Sequence, residues 1–216
     1  MLDEERIKNR GFKITNYKSG DVYVIKEFFP ENICRIIVSE AHKIMKALPN
    51  REEKDGMFFS LDYLPEGTES ERILRAIQIR DFKKLKNKFN SVFHKMREFQ
   101  LEFVLDKDNL NTEEELLPQI IHYPRGGGFF DWHIHPRNPV NYGLILQLSK
   151  RGSNFMKGAT EILCSDSDVL KVEEYSDIGD LVLFKYDLKH RVAPCDPDND
   201  LVFDINGRWT AILPIY

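Results

Sequence analysis

Residues 126–136, GGGFFDWHIHP, set two histidines two positions apart behind a glycine run, among aromatic residues and ahead of a closing proline. On an extended strand alternate side chains share a face. The spacing therefore predicts Asp131, His133 and His135 on one side and Trp132 and Ile134 on the other. Two imidazoles side by side can reach one ion, although two strand histidines can equally donate to carbonyls or face water. A catalytic metal site needs a third protein ligand and open positions beside it. The segment DLVLFKYDLKHRVAP (180–194) offers His190 at the end of another strand, 57 residues after His133 (190 − 133). His42 and His94 lie in helical stretches and read as packing or surface residues, and His122 reads as a packed, hydrogen-bonded side chain.

Working outward, the segments PQIIHYP, FFDWHIHP, NYGLILQLSK, ATEIL, DLVLFKY and GRWTAILPIY are short, rich in β-formers and divided by Gly, Pro, Asn and Asp. Strands at this density suggest an antiparallel sandwich or barrel over 118–216. Upstream, residues 1–110 hold a strand and supporting helices. DVYVIKEFF (21–29) reads as a strand, and Pro30 opens a helix whose Ile33, Ile36, Ile37, Ala41, Ile44, Met45 and Leu48 recur at helical spacing. A second helix is expected within 71–104, where Phe82, Leu85, Phe89, Val92, Phe93, Met96 and Phe99 step by three and four. The lysine run KKLKNK (83–88) reads as its solvated face, and residues 51–70 as a loop. Together these predict one α+β domain over 1–216, with helices packed on one face of a sheet.

The balance of 31 basic against 35 acidic residues leaves no electrostatic footprint for nucleic acid or an anionic membrane. The opening MLDEERIKNR lacks the apolar core of a secretory signal and no apolar run reaches membrane-spanning length, so a cytoplasmic protein is expected. Cys34, Cys164 and Cys195 are odd in number and widely spaced, which fits idle thiols better than a disulfide framework.

Three segments in order, YPRGGGFFDWHIHP, DIGDLVLFKYDLKHRVAP and NGRWTAIL, resemble the iron(II)- and 2-oxoglutarate-dependent oxygenases, particularly their prolyl-hydroxylase-like branch. The matching positions are Tyr123, His133, His135, Gly179 with Asp180, His190 with Val192 and Pro194, and Gly207 with Arg208. DVYVIKEFFPENICRIIV also looks like the strand and helix that precede the family's double-stranded β-helix, or jelly roll. The resemblance implies Fe(II) held by His133 and His190, with O2 and 2-oxoglutarate as cosubstrates. It makes Arg208 the anchor for the distal carboxylate, a role suited to a planar guanidinium fork. Thr210 could add a hydroxyl donor, Tyr123 a phenol, and Gln147 an amide near where relatives carry another cosubstrate-binding tyrosine. Hydroxylation of a substrate C–H bond is the commonest outcome such a site implies.

His135 stands where the family carries a carboxylate ligand, which removes one negative charge from the site. Three readings stay open: a three-histidine site that still uses 2-oxoglutarate, a three-histidine dioxygenase that does not, and a metal- or ligand-binding module without catalysis. Asp131 is a candidate alternative ligand or a group that orients an imidazole. Arg137, Asn138, Asn141 and Arg151 are candidates for the substrate mouth, as are the 51–70 loop and the insert CDPDNDLVFDIN. A small molecule such as an amino acid is the favoured substrate, with a peptide left open.

Overall fold

The computed structural model describes residues 2–64, 71–81, 89–104, 117–135 and 141–214. After helix α1 (Glu4–Asn9), capped by the Asp3 carboxylate, strands β1 (Lys13–Tyr17) and β2 (Val22–Lys26) pair antiparallel. Helix α2 (Glu31–Ala47) starts from Pro30 and buries Cys34, Ile37, Val38, Ala41 and Met45 along one stripe. It stops at Leu48, where the following Pro49 disfavours helical backbone.

Two expectations change in the next segment. Residues 51–64 are not a loop: they hold β3 (Glu53–Lys54) and β4 (Met57–Leu64), while 65–70 lie outside the described residues. In β4, Met57, Phe59 and Leu61 enter the core and Ser60 and Asp62 the opposite side, a two-residue period masked by polar neighbours. Likewise Arg72–Ile79 forms strand β5 and not the start of a helix. Leu74 and Ala76 face one side and Ile77 and Ile79 the other, and a strand buried on both faces loses the alternation that would reveal it. Helix α3 (Phe89–Phe99) then buries Phe89, Val92, Phe93, Met96 and Phe99, and continues as a π-helical turn, Gln100–Val104. Phe82, Leu85 and the lysine run fall outside the described residues.

The rest of the chain supplies β6 (Gln119–Arg125), β7 (Gly128–His133), β8 (Tyr142–Gln147), β9 (Thr160–Leu163), β10 (Val169–Lys171), β11 (Leu181–Lys185), β12 (His190–Cys195) and β13 (Val202–Ile212). Hydrogen bonding runs β1-β2-β11-β8-β13-β6-β5-β7-β12-β9-β10, with β4 on β5 and β3 on β4. Strands β6 to β13 thus form two antiparallel quartets, β6-β13-β8-β11 and β7-β12-β9-β10, joined through β5 into one curled sheet. The insert 195–206 is only partly a loop, because Val202 to Asn206 already belong to β13.

Strand β13 shows how the curl sorts its side chains. Trp209 and Ala211 join Ile37, Ala41 and Met45 of α2 and Phe89, Phe93 and Met96 of α3 in the main core. Arg208, Thr210 and Ile212 point the other way, into a cavity enclosed by the sheet. The three cysteines are free and buried. Among the described residues no helix is long and apolar enough to cross a membrane.

Gly207 permits this arrangement. It sits at an irregularity in the β13–β6 register with φ +120°, and a Cβ there would lie 2.4 Å from the Tyr123 carbonyl oxygen and 2.8 Å from His122 Nε2. Gly207→Ala is expected to destabilise the fold by about 2–4 kcal/mol, from backbone strain plus overpacking, read as a lower urea midpoint with unchanged slope.

Candidate metal centre

His133 is the last residue of β7 and His190 the first of β12, and the antiparallel register sets them directly opposite each other. His190 therefore opens its own strand and does not end the preceding one, as the sequence suggested. His135 follows two residues beyond β7. The ring centroids are 4.2 Å apart for His133 and His190 and 5.0 Å for each pair with His135. One ring nitrogen from each histidine falls within 4.8 Å of the others.

Backbone carbonyls orient two of the three rings. His133 Nδ1 donates to the Asp131 carbonyl at 2.7 Å and His190 Nδ1 to the Leu188 carbonyl at 2.9 Å. A carbonyl only accepts, so Nδ1 carries the proton and Nε2 keeps its lone pair, the tautomer a metal ligand requires. Aromatic rings brace them: Phe130 stacks on His133 at 4.0 Å, Tyr186 on His135 at 4.7 Å, and Phe184 meets His190 edge-on at 4.6 Å. Burial in this apolar collar, reinforced by the neighbouring imidazoles, pushes His190 down to about 3 and His135 to about 4. Burial also lowers His133. All three are neutral donors at pH 7.

The strand reading misplaced Asp131. Between His190 and Val192 the partner strand steps from His133 to Phe130, so β7 carries one extra residue. That bulge turns both Phe130 and His133 into the cavity, while Asp131 is not among the residues lining it. Trp132 faces outward beneath the Arg191 guanidinium, 4.8 Å from its ring centre.

The cavity, about 280 Å³, is lined by the three histidines together with Tyr123, Thr160, Arg208 and Thr210. Arg208 is fully buried beneath it: Nε donates to Glu173 Oε1 at 2.6 Å, Nη2 donates to the Thr160 hydroxyl, and the Tyr123 ring centre lies 5.3 Å away. Burial pushes the Tyr123 phenol up to about 12, so it is a donor and not an anion. Gln147 pairs in register with Thr210 and is buried, and its Nε2 has no hydrogen-bond partner among the described residues, but unlike Thr210 it is not among the residues that line the cavity. On the other wall Arg72 donates to Asp62 at 2.7 Å, beside Ser60, Gln78 and Gln119.

Of the expected mouth residues, Asn141 is exposed and does not line the cavity. Arg151 is also outside it, its Nε donating to the Met156 carbonyl and Nη1 lying 3.9 Å from Glu174. Arg137 and Asn138 lie outside the described residues. His122 is packed as expected: its Nδ1 accepts from Arg75, its Nε2 donates to the Asn206 carbonyl, and it stacks on Trp209 at 4.2 Å. Sequence reasoning missed Glu173, Thr160, Asp62 and Arg72. Glu173 sits in KVEEYSD, a charged run that reads as surface.

The fold is that of a prolyl-4-hydroxylase from Pseudomonas putida, to which the chain is similar with a TM-score of 0.59 at 16% identity, over 98% of this chain and 95% of that one. A prolyl hydroxylase from Trichoplax adhaerens, solved with a hypoxia-inducible-factor peptide fragment, aligns over 98% and 86% at 14% identity with a TM-score of 0.48. No protein-family model and no curated protein sequence matches the chain.

The depressed histidines carry a stability consequence. His122 is held well below its ordinary value, chiefly by burial, and His135 and His190 stand near 4 and 3. Between those values and about 6.5 the unfolded chain binds protons that the folded chain refuses, so stability rises with pH across that window. Metal-free protein is expected to be most stable above about pH 6.5 and to lose several kcal/mol as pH falls toward about 4, measured by urea unfolding at a series of pH values.

Proposed function

We propose that the protein is a non-haem iron oxygenase that uses 2-oxoglutarate and O2 to oxidise, chiefly to hydroxylate, a compact substrate. The observation that carries this reading is the convergence of three neutral, carbonyl-oriented or ring-braced imidazoles on one cavity with a buried guanidinium in its lining. Strands β6 to β13 have the count and the two-quartet pairing of a double-sheet jelly roll, which supports a double-stranded β-helix within one domain.

His133, His135 and His190 would hold the ion, and three protein ligands leave positions for cosubstrate and oxygen. When bound, iron(II) with 2-oxoglutarate supplies the oxidising power for attack on a C–H bond. The chain's own residues place and shield the reactants. Arg208 would meet the distal carboxylate through the guanidinium edge that Glu173 and Thr160 leave uncommitted, with Thr210 and Tyr123 as neutral donors around it. Phe130, Phe184 and Tyr186 exclude water from the imidazoles.

The cavity volume falls just below the range of ordinary ligand sites, about 300 to 1,000 Å³. That favours a small substrate. The Asp62–Arg72 pair with Ser60, Gln78 and Gln119 suits an amino-acid-like molecule that carries both charges. A second reading, a three-histidine dioxygenase that needs no 2-oxoglutarate, draws support from the Arg208–Glu173 pair, which already gives the guanidinium a counter-ion.

Anaerobic titration of metal-free protein with iron(II) separates the two. A visible charge-transfer band that appears only with both iron and 2-oxoglutarate is expected. Iron uptake without any response to 2-oxoglutarate would decide for the second reading. His190→Ala is expected to abolish stoichiometric uptake. Arg208→Lys, which keeps the charge but not the fork, should weaken 2-oxoglutarate by at least about tenfold with iron binding intact.

A further inference from the structure

Resting on the oxygenase reading, we infer that Glu173 is the negative charge the metal centre lacks, moved from the ion to the cavity arginine, and that it sets how strongly the site prefers a doubly charged 2-oxo acid. Among the described residues, the charged ones that line the cavity are Asp62, Arg72 and Arg208, apart from the neutral histidines. Asp62 and Arg72 neutralise each other at 2.7 Å. Arg208 would stand alone were it not for Glu173, whose Oε1 lies 2.6 Å from Arg208 Nε, with side-chain exposures of 1% and 3% for the arginine and the glutamate.

Glu173 is not itself a lining residue. It approaches Arg208 from behind, held by the Thr160 backbone N–H at 2.8 Å on its second oxygen. The described protein groups around the cavity therefore sum to zero with three neutral imidazoles in place. A site with an aspartate at position 135 and an unpaired Arg208 would reach the same sum. His135 and Glu173 are thus two halves of one charge arrangement: the imidazole removes an anion at the ion and the glutamate restores it at the arginine. A divalent ion plus the 2-oxoglutarate dianion then brings the buried total to zero, as burial in a low-dielectric cavity demands.

Glu173 acts on the ligand through Arg208, so it is a positioning and charge-setting residue. Its signature is the ratio between ligands of different charge. The experiment is anaerobic calorimetry on Co(II)-loaded protein with 2-oxoglutarate and with 2-oxopentanoate, which has the same chain and no second carboxylate. Glu173→Gln is expected to tighten 2-oxoglutarate by at least about tenfold and to move 2-oxopentanoate by less than about threefold. His135→Asp should bind cobalt more tightly yet weaken 2-oxoglutarate by about tenfold, and the double variant should return within about threefold of the parent.

Unchanged or weaker 2-oxoglutarate binding in Glu173→Gln, or a double variant that stays more than about threefold from the parent, would overturn the inference while leaving the oxygenase reading standing. Glutamine has one acceptor oxygen for the two donors Thr160 N–H and Arg208 Nε, so the His135→Asp arm also decides alone: a tighter 2-oxoglutarate there refutes the charge exchange. If cobalt binds and neither 2-oxo acid binds any variant, the oxygenase reading itself falls and takes the inference with it.

Discussion

The site depends on the register between β7 and β12. Pairing His190 with His133 puts two imidazoles from strands distant in sequence across a single ladder step, and the extra residue in β7 turns Phe130 and His133 to the same side. A slip of one residue would send every side chain of the strand to the opposite face. Burial on the cavity side fixes the register, since the bulged strand must bring Phe130 under the His133 ring and leave Trp132 under Arg191. Once that is set, the carbonyls of Asp131 and Leu188 fall where they fix the tautomers.

Charge placement follows the same logic of burial. Among the described residues the cavity holds two arginines, and each has a carboxylate within 2.7 Å. Elsewhere Arg75, nearly as buried, forms no salt bridge with a carboxylate among the described residues. It donates instead to the neutral His122 ring and the Asp204 carbonyl, and lies over the rings of Phe203 and Trp209. Burial lowers it to about 10, which still leaves it charged at pH 7. The two treatments differ by what surrounds them: Arg75 is wrapped by π faces and carbonyls on the core side, whereas Arg208 faces a cavity and takes a full counter-ion.

Much of this was legible in the chain. The helix from Pro30 and the β-rich half came from local periodicity and composition, the histidines from their strand spacing, and the expectation for Gly207 with Arg208 from the family resemblance. What escaped did so for identifiable reasons. Strand β5 is buried on both faces and so shows no alternation. The β7 bulge adds a residue that no spacing rule anticipates, which is why Asp131 was expected on the wrong face. Glu173 lies on a short 3₁₀ turn in an acidic run, and only tertiary packing distinguishes it from its exposed neighbour Glu174. Long-range partners of this kind leave no local signature.

The chain has two tryptophans, and the fold separates their surroundings. Trp209 is fully buried, stacked on His122, with its indole N–H donating to the Ile205 carbonyl, and it follows Arg208 directly on β13. Trp132 lies on the outer wall against Arg191, one residue before His133. The two indoles are therefore intrinsic optical labels at two parts of the machinery: one belongs to the residue joined to the cavity arginine, the other to the residue joined to a histidine of the cluster, and each emits from a distinct local polarity.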